Sequence, residues 1–273
     1  MIARQPPTRL VLLGHPVAHS LSPRFQSAAL EYCGFTQRYV GLDVASDALE
    51  ATVRALAAEG AGGNVTIPLK EAMFALATHR SELAVQTGAV NTFWFDGDAV
   101  VGHNTDVEGL EAALHALLPS GIRGMQCALL GAGGSARAVL VALRRMEAGP
   151  IRVWGRTAGR ASALAHCIGV ALTECRSAED AVQGAALVIN ATPVGMRDSC
   201  MPVEPASLPA NAAVLDLVYR PGESAWVRAC RARGHAAQDG LRMLVEQGAA
   251  AFQCWFGVEA PRHAMWDALR DVR

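Results

Sequence analysis

The stretch LLGAGGSARA, residues 129–138, constrains the fold of this chain more than any other. Gly131, Gly133 and Ala136 stand in the G-x-G-x-x-G/A spacing, after the apolar run MQCALLG (125–131) and before a helical pattern. In that setting the first glycine makes a tight turn. The second lets backbone approach a pyrophosphate, and the third small residue lets the helix pack on the sheet. The helix N-terminus adds free N–H groups and positive potential. Such a turn belongs to a parallel sheet covered by helices, and IRVW (151–154), ALVINAT (186–192) and AVLDLVY (213–219) supply further strands between helical stretches.

The strand after the turn leads into VWGRT, with Arg156, Thr157 and then Arg160. An enzyme using NAD places Asp or Glu near this point to accept from the ribose 2′-OH. Guanidinium groups instead suit a 2′-phosphate, through paired charge-assisted hydrogen bonds. The expected cofactor is therefore NADP rather than NAD.

The first hundred residues show a second alternating series. RLVLLG (9–14), RYVGLDV (38–44) and GGNVTI (62–67) read as strands. SPRFQSAALEYCGF (22–35) reads as a helix with Ser22 as N-cap, Pro23 at the first position and Gly34 closing it, and 46–60 as another. Residues 89–103 read as a hairpin turning at Asp96-Gly97, which sets Asn91 opposite Gly102 and close to HNTD (103–106). TDVEGLEAALHALL (105–118) reads as a helix opened by a capping box of Thr105 and Glu108. Two helices, near 241–256 and 262–272, end the pattern and are expected to pack on the first domain.

Composition adds an unusual point. Of 24 basic residues only Lys70 is a lysine; the others are arginines. Pro68 fits the first turn of a helix through LKEAMFALA, so Lys70 sits at the helix end where the macrodipole disfavours a cation. A local rule broken without evident gain suggests function. Arginine cannot give up its proton in a protein, so it cannot replace lysine as an acid/base. Asp106, in the first turn of the 105–118 helix, is the candidate partner of the ammonium. Asparagine is also scarce, and four of its five copies fall in the phrases GNVT, AVNT, HNTD and INAT.

Several classes are excluded. The net charge of -1 and the absence of charge runs speak against nucleic acid as a partner. No charge-free apolar run has transmembrane length, the N-terminal apolar run is too short for a signal peptide, and no membrane partner is expected. Seven scattered cysteines without C-x-x-C imply free thiols in a reducing cytoplasm. The eight histidines form no metal-binding pattern, so no metal is expected, and His15, His19 and His103 are read as structural.

In order along the chain stand GHPVAHSLSP (14–23), NVTIPLK (64–70), GAVNT (88–92), GHNTD (102–106), GAGGSARA (131–138), NATPVGM (190–196) and DGLRMLVEQ (239–247). In combination these phrases resemble the shikimate dehydrogenase family, which includes quinate/shikimate dehydrogenases, over nearly the whole length. The resemblance implies an α/β chain of two domains with a cleft between them. One is an N-terminal α/β substrate domain, 1–104 with 240–273. The other is a Rossmann-type doubly wound parallel-sheet NADP-binding domain, 105–239. A hinge for cleft closure would lie near 104–106 and 238–240. The implied catalytic pair is Lys70 and Asp106. Ser20 and Ser22 would bind a substrate carboxylate, and Thr66, Asn91, Tyr219 and Gln247 its carboxylate or hydroxyls. Gly131, Ala132, Gly133, Gly134, Ser135, Ala136, Arg156, Thr157 and Arg160 would hold NADP, with Thr192, Leu217 and Gly240 along the nicotinamide. Three departures stand out: Gly155 where Asn often precedes the Arg-Thr pair, Arg242 where a glycine is common, and SPRFQS without the usual His-Asn. The expected reaction is NADP-dependent interconversion of shikimate and 3-dehydroshikimate on the chorismate route. Quinate or a related cyclohexene-carboxylate is the alternative substrate, and a non-catalytic NADP-binding regulator a more distant one. The expected partner is the small-molecule substrate, with the chain a monomer or homodimer.

Overall fold

The computed structural model describes residues 5–272 and divides the chain into two compact units, 1–109 with 244–270 and 110–243 with 271–273. In chain order, the first unit carries β1 (Leu10–Gly14), α1 (Ser22–Tyr32), β2 (Tyr39–Asp43), α2 (Leu49–Ala58), β3 (Gly62–Val65) and α3 (Lys70–Leu76). It continues through β4 (His79–Arg80), α4 (Glu82–Thr87), β5 (Thr92–Asp96) and β6 (Ala99–His103) to the start of α5 (Asp106–Leu117), whose residues from Leu110 on belong to the second unit. The sheet order is β2-β1-β3-β5-β6-β4. β1 pairs in parallel with β2 and β3, as the strand–helix alternation requires, while β5 is antiparallel to both β3 and β6. Every residue of β1 is buried, which is why its sequence is a continuous apolar run. Leu13, Val53, Leu56, Met73, Val90 and Phe93 form part of the core between this sheet and its helices.

Four local readings differ from the sequence expectation. The β5–β6 loop is Gly97-Asp98, because Asp96 pairs with Ala99 and Thr92 with His103. Gly97, with φ +58°, takes the left-handed position. Leu21, not Ser22, is the N-cap of α1; Ser22 already lies inside the helix and is buried. Pro68 lies in the turn before α3 rather than in its first turn. The Thr105/Glu108 capping box gives way to tertiary partners: the Thr105 hydroxyl bonds Asn91 and Thr92, and the Glu108 carboxylate accepts from His103 Nε2 at 2.9 Å. Neither β4 nor α4 was expected, although Ser81 accepts from Ala84 N as a regular N-cap and Gly88 closes α4 at φ 61°.

The second unit carries β7 (Cys127–Leu130), α6 (Gly134–Arg145), β8 (Ile151–Trp154), α7 (Arg160–Ile168), β9 (Thr173–Glu174) and α8 (Ala178–Val182). β10 (Leu187–Asn190), β11 (Ala213–Asp216), α9 (Ala225–Ala232) and β12 (Ala237–Gln238) complete it. All six strands are parallel, in the order β12-β11-β10-β7-β8-β9. Read from the other edge this is the doubly wound order 3-2-1-4-5-6, with its reversal between β7 and β10. The two-residue strands β9 and β12 form the edges and were too short to be seen in the sequence. The chain then enters α10 (Leu241–Phe256) and α11 (Arg262–Asp267). In the first unit, Trp255 of α10 donates to Phe93 O, Gln26 Nε2 donates to Gly248 O, and Tyr32 meets His263 edge-on. All seven cysteines are free thiols.

Asp239 opens α10, its Oδ1 accepting from Leu241 N at 3.1 Å. Burial, helped by Glu223 and Asp216 and opposed by Leu241 N and Arg231, pushes its pKa up from 3.8 to about 6. The folded state therefore binds this proton more tightly than the unfolded chain does. The stabilisation is full below pH 3.8 and is lost as pH rises through about 6. Asp239→Asn keeps an acceptor for Leu241 N but has no charge to bury. Its denaturation midpoint is expected to match wild type near pH 4 and to exceed it at pH 8, by at most about 3 kcal/mol in stability. Parallel curves for the two proteins across this range would contradict the assignment.

Candidate active site

Lys70 is the first residue of α3, and its carbonyl accepts from Val90 N at 3.0 Å, which fixes the base of the side chain. Its Nζ donates to Asp106 Oδ2 at 2.6 Å, with the two side chains 21% and 13% exposed. Asp106 is the first residue of α5, where the helix dipole favours an acid. Its backbone N–H is taken by Asn104 Oδ1 at 3.1 Å, and its Oδ1 accepts from Asn91 Nδ2 at 2.9 Å. The carboxylate is thus gripped at both oxygens, and one of the three ammonium hydrogens is committed to it.

Asn91 is the centre of the cluster. Its Oδ1 accepts from Thr105 N at 2.7 Å, and its Nδ2 reaches Thr105 Oγ1 at 3.0 Å and Gln247 Oε1 at 3.3 Å besides Asp106. Gln247 is held in turn by its own Nε2, which donates to Leu244 O at 2.7 Å. Asn64 Nδ2 donates to Asn91 O and Thr92 Oγ1, and Tyr39 OH donates to Asn64 Oδ1. Asn104 Nδ2 donates to Thr87 Oγ1 and Ala89 O. Asn64, Asn91 and Asn104 are 4%, 2% and 1% exposed. Each amide therefore serves groups that would otherwise be buried unpaired, at about 1–3 kcal/mol apiece. Asn64, Asn104, Thr87 and Thr92 had no assigned role in the sequence reading, and Thr105 was read only as a helix cap; the scarcity of asparagine was the one signal pointing at the two asparagines.

The other expected substrate residues of this unit lie on the chain that follows parallel strands. Ser20 and Ser22 follow β1, with Ser22 N donating to Ser20 Oγ at 3.2 Å. Thr66 follows β3; its N–H donates to Leu13 O at 2.8 Å and its methyl covers Gly14. Among the described residues these three make no hydrogen bond to the Lys70–Asp106–Asn91–Gln247 cluster. Tyr219 lies in the second unit, three residues beyond β11, and burial raises its phenol pKa. His103, expected to be structural, is bonded to Ser81 Oγ at 2.6 Å and to Glu108.

In the second unit, the glycine-rich turn lies at the switch point of the sheet. Gly131, with φ +113°, follows β7, and a Cβ there would meet the Ala191 carbonyl carbon at 2.8 Å. The protein itself demands this glycine. Gly133 and Gly134 differ: a Cβ at either would meet nothing within 4 Å. The fold leaves open space over them at the start of α6, whose first turn holds no acid. Ala136 is buried against the sheet. An open, glycine-lined helix N-terminus without anionic side chains fits a pyrophosphate. Ala132 and Ser135 belong to the same turn. Arg156, Thr157 and Arg160 are exposed after β8, and neither arginine forms an ion pair among the described residues. Arg145, Arg152, Arg231 and Arg262 each have a carboxylate partner. The two uncommitted guanidiniums fit a 2′-phosphate. Gly155 allows the Arg156 loop to pass close to Ala132, whose Cβ would stand 3.0 Å from a Cβ at 155.

Thr192, Leu217 and Gly240 gather around one buried acid. Asp216 Oδ1 accepts from Asn190 Nδ2 at 2.8 Å and Val218 N at 3.1 Å, and Oδ2 accepts from Ser224 Oγ at 2.7 Å. Asn190 Oδ1 accepts from Thr192 N and Thr192 Oγ1 at 3.0 and 2.7 Å. Gly240 N donates to Val218 O, and a Cβ at Gly240 would strike Leu217 O at 2.2 Å. Burial raises the Asp216 pKa, against the lowering effect of its three donors.

Comparison with known proteins identifies the family. Residues 12–93 match the family described as Shikimate dehydrogenase substrate binding domain, and residues 240–270 the Shikimate 5'-dehydrogenase C-terminal domain. The chain is 40% identical to a Shikimate dehydrogenase (NADP(+)) of Mesorhizobium japonicum, over 90% of this chain and 89% of that protein. It is 43% identical to one of Methylobacterium radiotolerans, over 96% of this chain and 95% of that protein. The crystal structure of shikimate 5-dehydrogenase from Thermus thermophilus, in complex with NADP(H) and shikimate, superposes with a TM-score of 0.88 at 38% identity, covering 97% of this chain and 99% of that one. With 40% identity sustained along nine-tenths of both chains, this protein belongs to the shikimate dehydrogenase family.

Proposed function

We propose that the protein catalyses the reversible, NADP-dependent oxidation of shikimate to 3-dehydroshikimate, an oxidoreductase reaction on a CH–OH group. The observation that carries this reading is the Lys70–Asp106 contact inside the buried amide cluster, in a chain of this family. The unit of residues 1–109 with 244–270 is assigned to the substrate and that of residues 110–243 to NADP. NADP, when bound, accepts or supplies the hydride at C4 of its nicotinamide.

In oxidation, Lys70 Nζ acts as the neutral amine and accepts the proton of the C3 hydroxyl, becoming the ammonium. In reduction the ammonium returns a proton to the C3 oxygen and stabilises the negative charge that develops there. Asp106 orients Nζ and balances its charge, and Asn91 orients Asp106. Ser20 and Ser22 donate to the substrate carboxylate. Thr66, Asn91 and Gln247 of the same unit contact its carboxylate or hydroxyls. Gly131 to Ala136, Arg156, Thr157 and Arg160 bind the cofactor phosphates, and Thr192, Leu217 and Gly240 line the nicotinamide. The relatives named above carry the shikimate name, so quinate ranks second. Among the described residues no helix is long and apolar enough to cross a membrane, and no cluster of acids, histidines and cysteines could hold a metal. A cytoplasmic enzyme, monomer or homodimer, completes the reading.

Initial rates with shikimate and with quinate, each with NADP and NAD, test it. The shikimate–NADP pairing is expected to have the highest kcat/KM. Turnover with none of the four pairings would refute the assignment.

A further inference from the structure

The loop that carries Arg156, Thr157 and Arg160 is held by one side chain outside it. Glu174 ends the edge strand β9, level with Val153 of β8. One of its carboxylate oxygens accepts from Gly159 N at 2.7 Å. The other accepts from Ser162 N at 3.2 Å and Ser162 Oγ at 2.5 Å. Gly159 is the N-cap of α7 and turns the chain with φ 77°, yet it has no side chain with which to cap the helix. Glu174 serves the first turn of α7 from 15 residues downstream. The Ser162 hydroxyl, with the two backbone N–H groups, holds its pKa below the ordinary carboxylate value, so the acceptor is the charged form. Neither Arg156 nor Arg160 forms an ion pair with Glu174 among the described residues. Both carboxylate oxygens are spent on the loop backbone and Ser162, and both guanidiniums stay available.

We propose that Glu174 is a positioning residue for the 2′-phosphate end of NADP. It fixes the entry turn of α7 so that Arg156, Thr157 and Arg160 are presented together, and thereby sets the preference for NADP over NAD. This rests on the NADP reading given above. Two effects of the carboxylate oppose each other. Its charge repels a phosphate, but it is only partly buried and is screened by solvent and salt, with a Debye length of about 8 Å at physiological salt. Its three hydrogen bonds fix the loop, and a lost helix cap costs about 1 kcal/mol or more, a factor of five to ten in binding. Anchoring outweighs repulsion.

The probes are 2′,5′-ADP and 5′-AMP, adenosine fragments with and without the 2′-phosphate, titrated by calorimetry into the full chain. Glu174→Ala is expected to weaken 2′,5′-ADP about five- to tenfold and to leave 5′-AMP within about twofold. Glu174→Gln, which keeps one acceptor oxygen, is expected to lose less. Unchanged or tighter 2′,5′-ADP binding by Glu174→Ala would overturn the proposal, as would an equal loss for both probes, the mark of general damage. Wild-type protein that binds the two probes alike would overturn it at its root, by removing the NADP reading itself.

Discussion

Lys70→Arg and Lys70→Met are each expected to lower kcat by about 10²–10⁴-fold, the usual weight of a positioned acid/base. The chain uses arginine at every other basic position, so a further arginine at 70 would fit its habits. It would keep the positive charge beside Asp106 and remain a hydrogen-bond donor. It would not take a proton from the C3 hydroxyl, because a guanidinium stays charged at any working pH. The Met variant removes charge and proton together. The difference between the two variants therefore measures the electrostatic part of the role, and their shared loss measures proton transfer. NADP binding by calorimetry is expected to change less than about twofold in both, since the glycine-rich turn and Arg156 lie in the other unit. Lys70→Arg within about tenfold of wild type in kcat would mean that Lys70 acts as an anchor for charge alone.

Asp216→Ala is expected to destabilise the protein by about 3–5 kcal/mol, the largest stability effect of any single change considered, because three buried neutral donors lose their acceptor. The carboxylate is fully buried and serves Asn190, Val218 N and Ser224 at once. Its removal strands three buried donors, each at about 1–3 kcal/mol, with some relief as neighbours relax. Asp216→Asn separates charge from hydrogen bonding. One amide oxygen still accepts from Asn190 and Val218, and the Ser224 hydroxyl can turn to accept from the new NH₂. The isostere also escapes the burial cost that raises the pKa of the acid. It is expected to stay within about 1 kcal/mol of wild type. Urea denaturation of the three proteins checks this, and an Asn variant as unstable as the Ala variant would show that the negative charge, not the hydrogen bonds, is what the site needs.

The architecture was legible where local chemistry and global fold agree. The turn at 129–138 announced a parallel sheet because only glycine serves a φ of +113° against the Ala191 backbone. Central strands announced themselves by burial on both faces. Misreadings arose where tertiary partners outbid local rules. Thr105 and Glu108 spell a capping box, yet Asn91 and His103 claim their side chains. The hairpin was displaced by one residue because Gly97, not Asp96, opens the loop. At the candidate site, Lys70 and Asp106 were found by composition and helix position. The buried network of Asn64, Asn91, Asn104 and Thr105 was signalled by the survival of asparagine in an Ala- and Arg-rich chain and, for Asn91, by the hairpin that brings it to HNTD. Which amide bonds which carbonyl depends on strand register, which the sequence did not supply.

Deuterium at C3 of shikimate tests the central claim most directly. Enzyme, NADP and this substrate are expected to yield reduced cofactor carrying the deuterium at nicotinamide C4, with 3-dehydroshikimate as product. Reduced cofactor free of deuterium, or a product oxidised at another carbon, would contradict it.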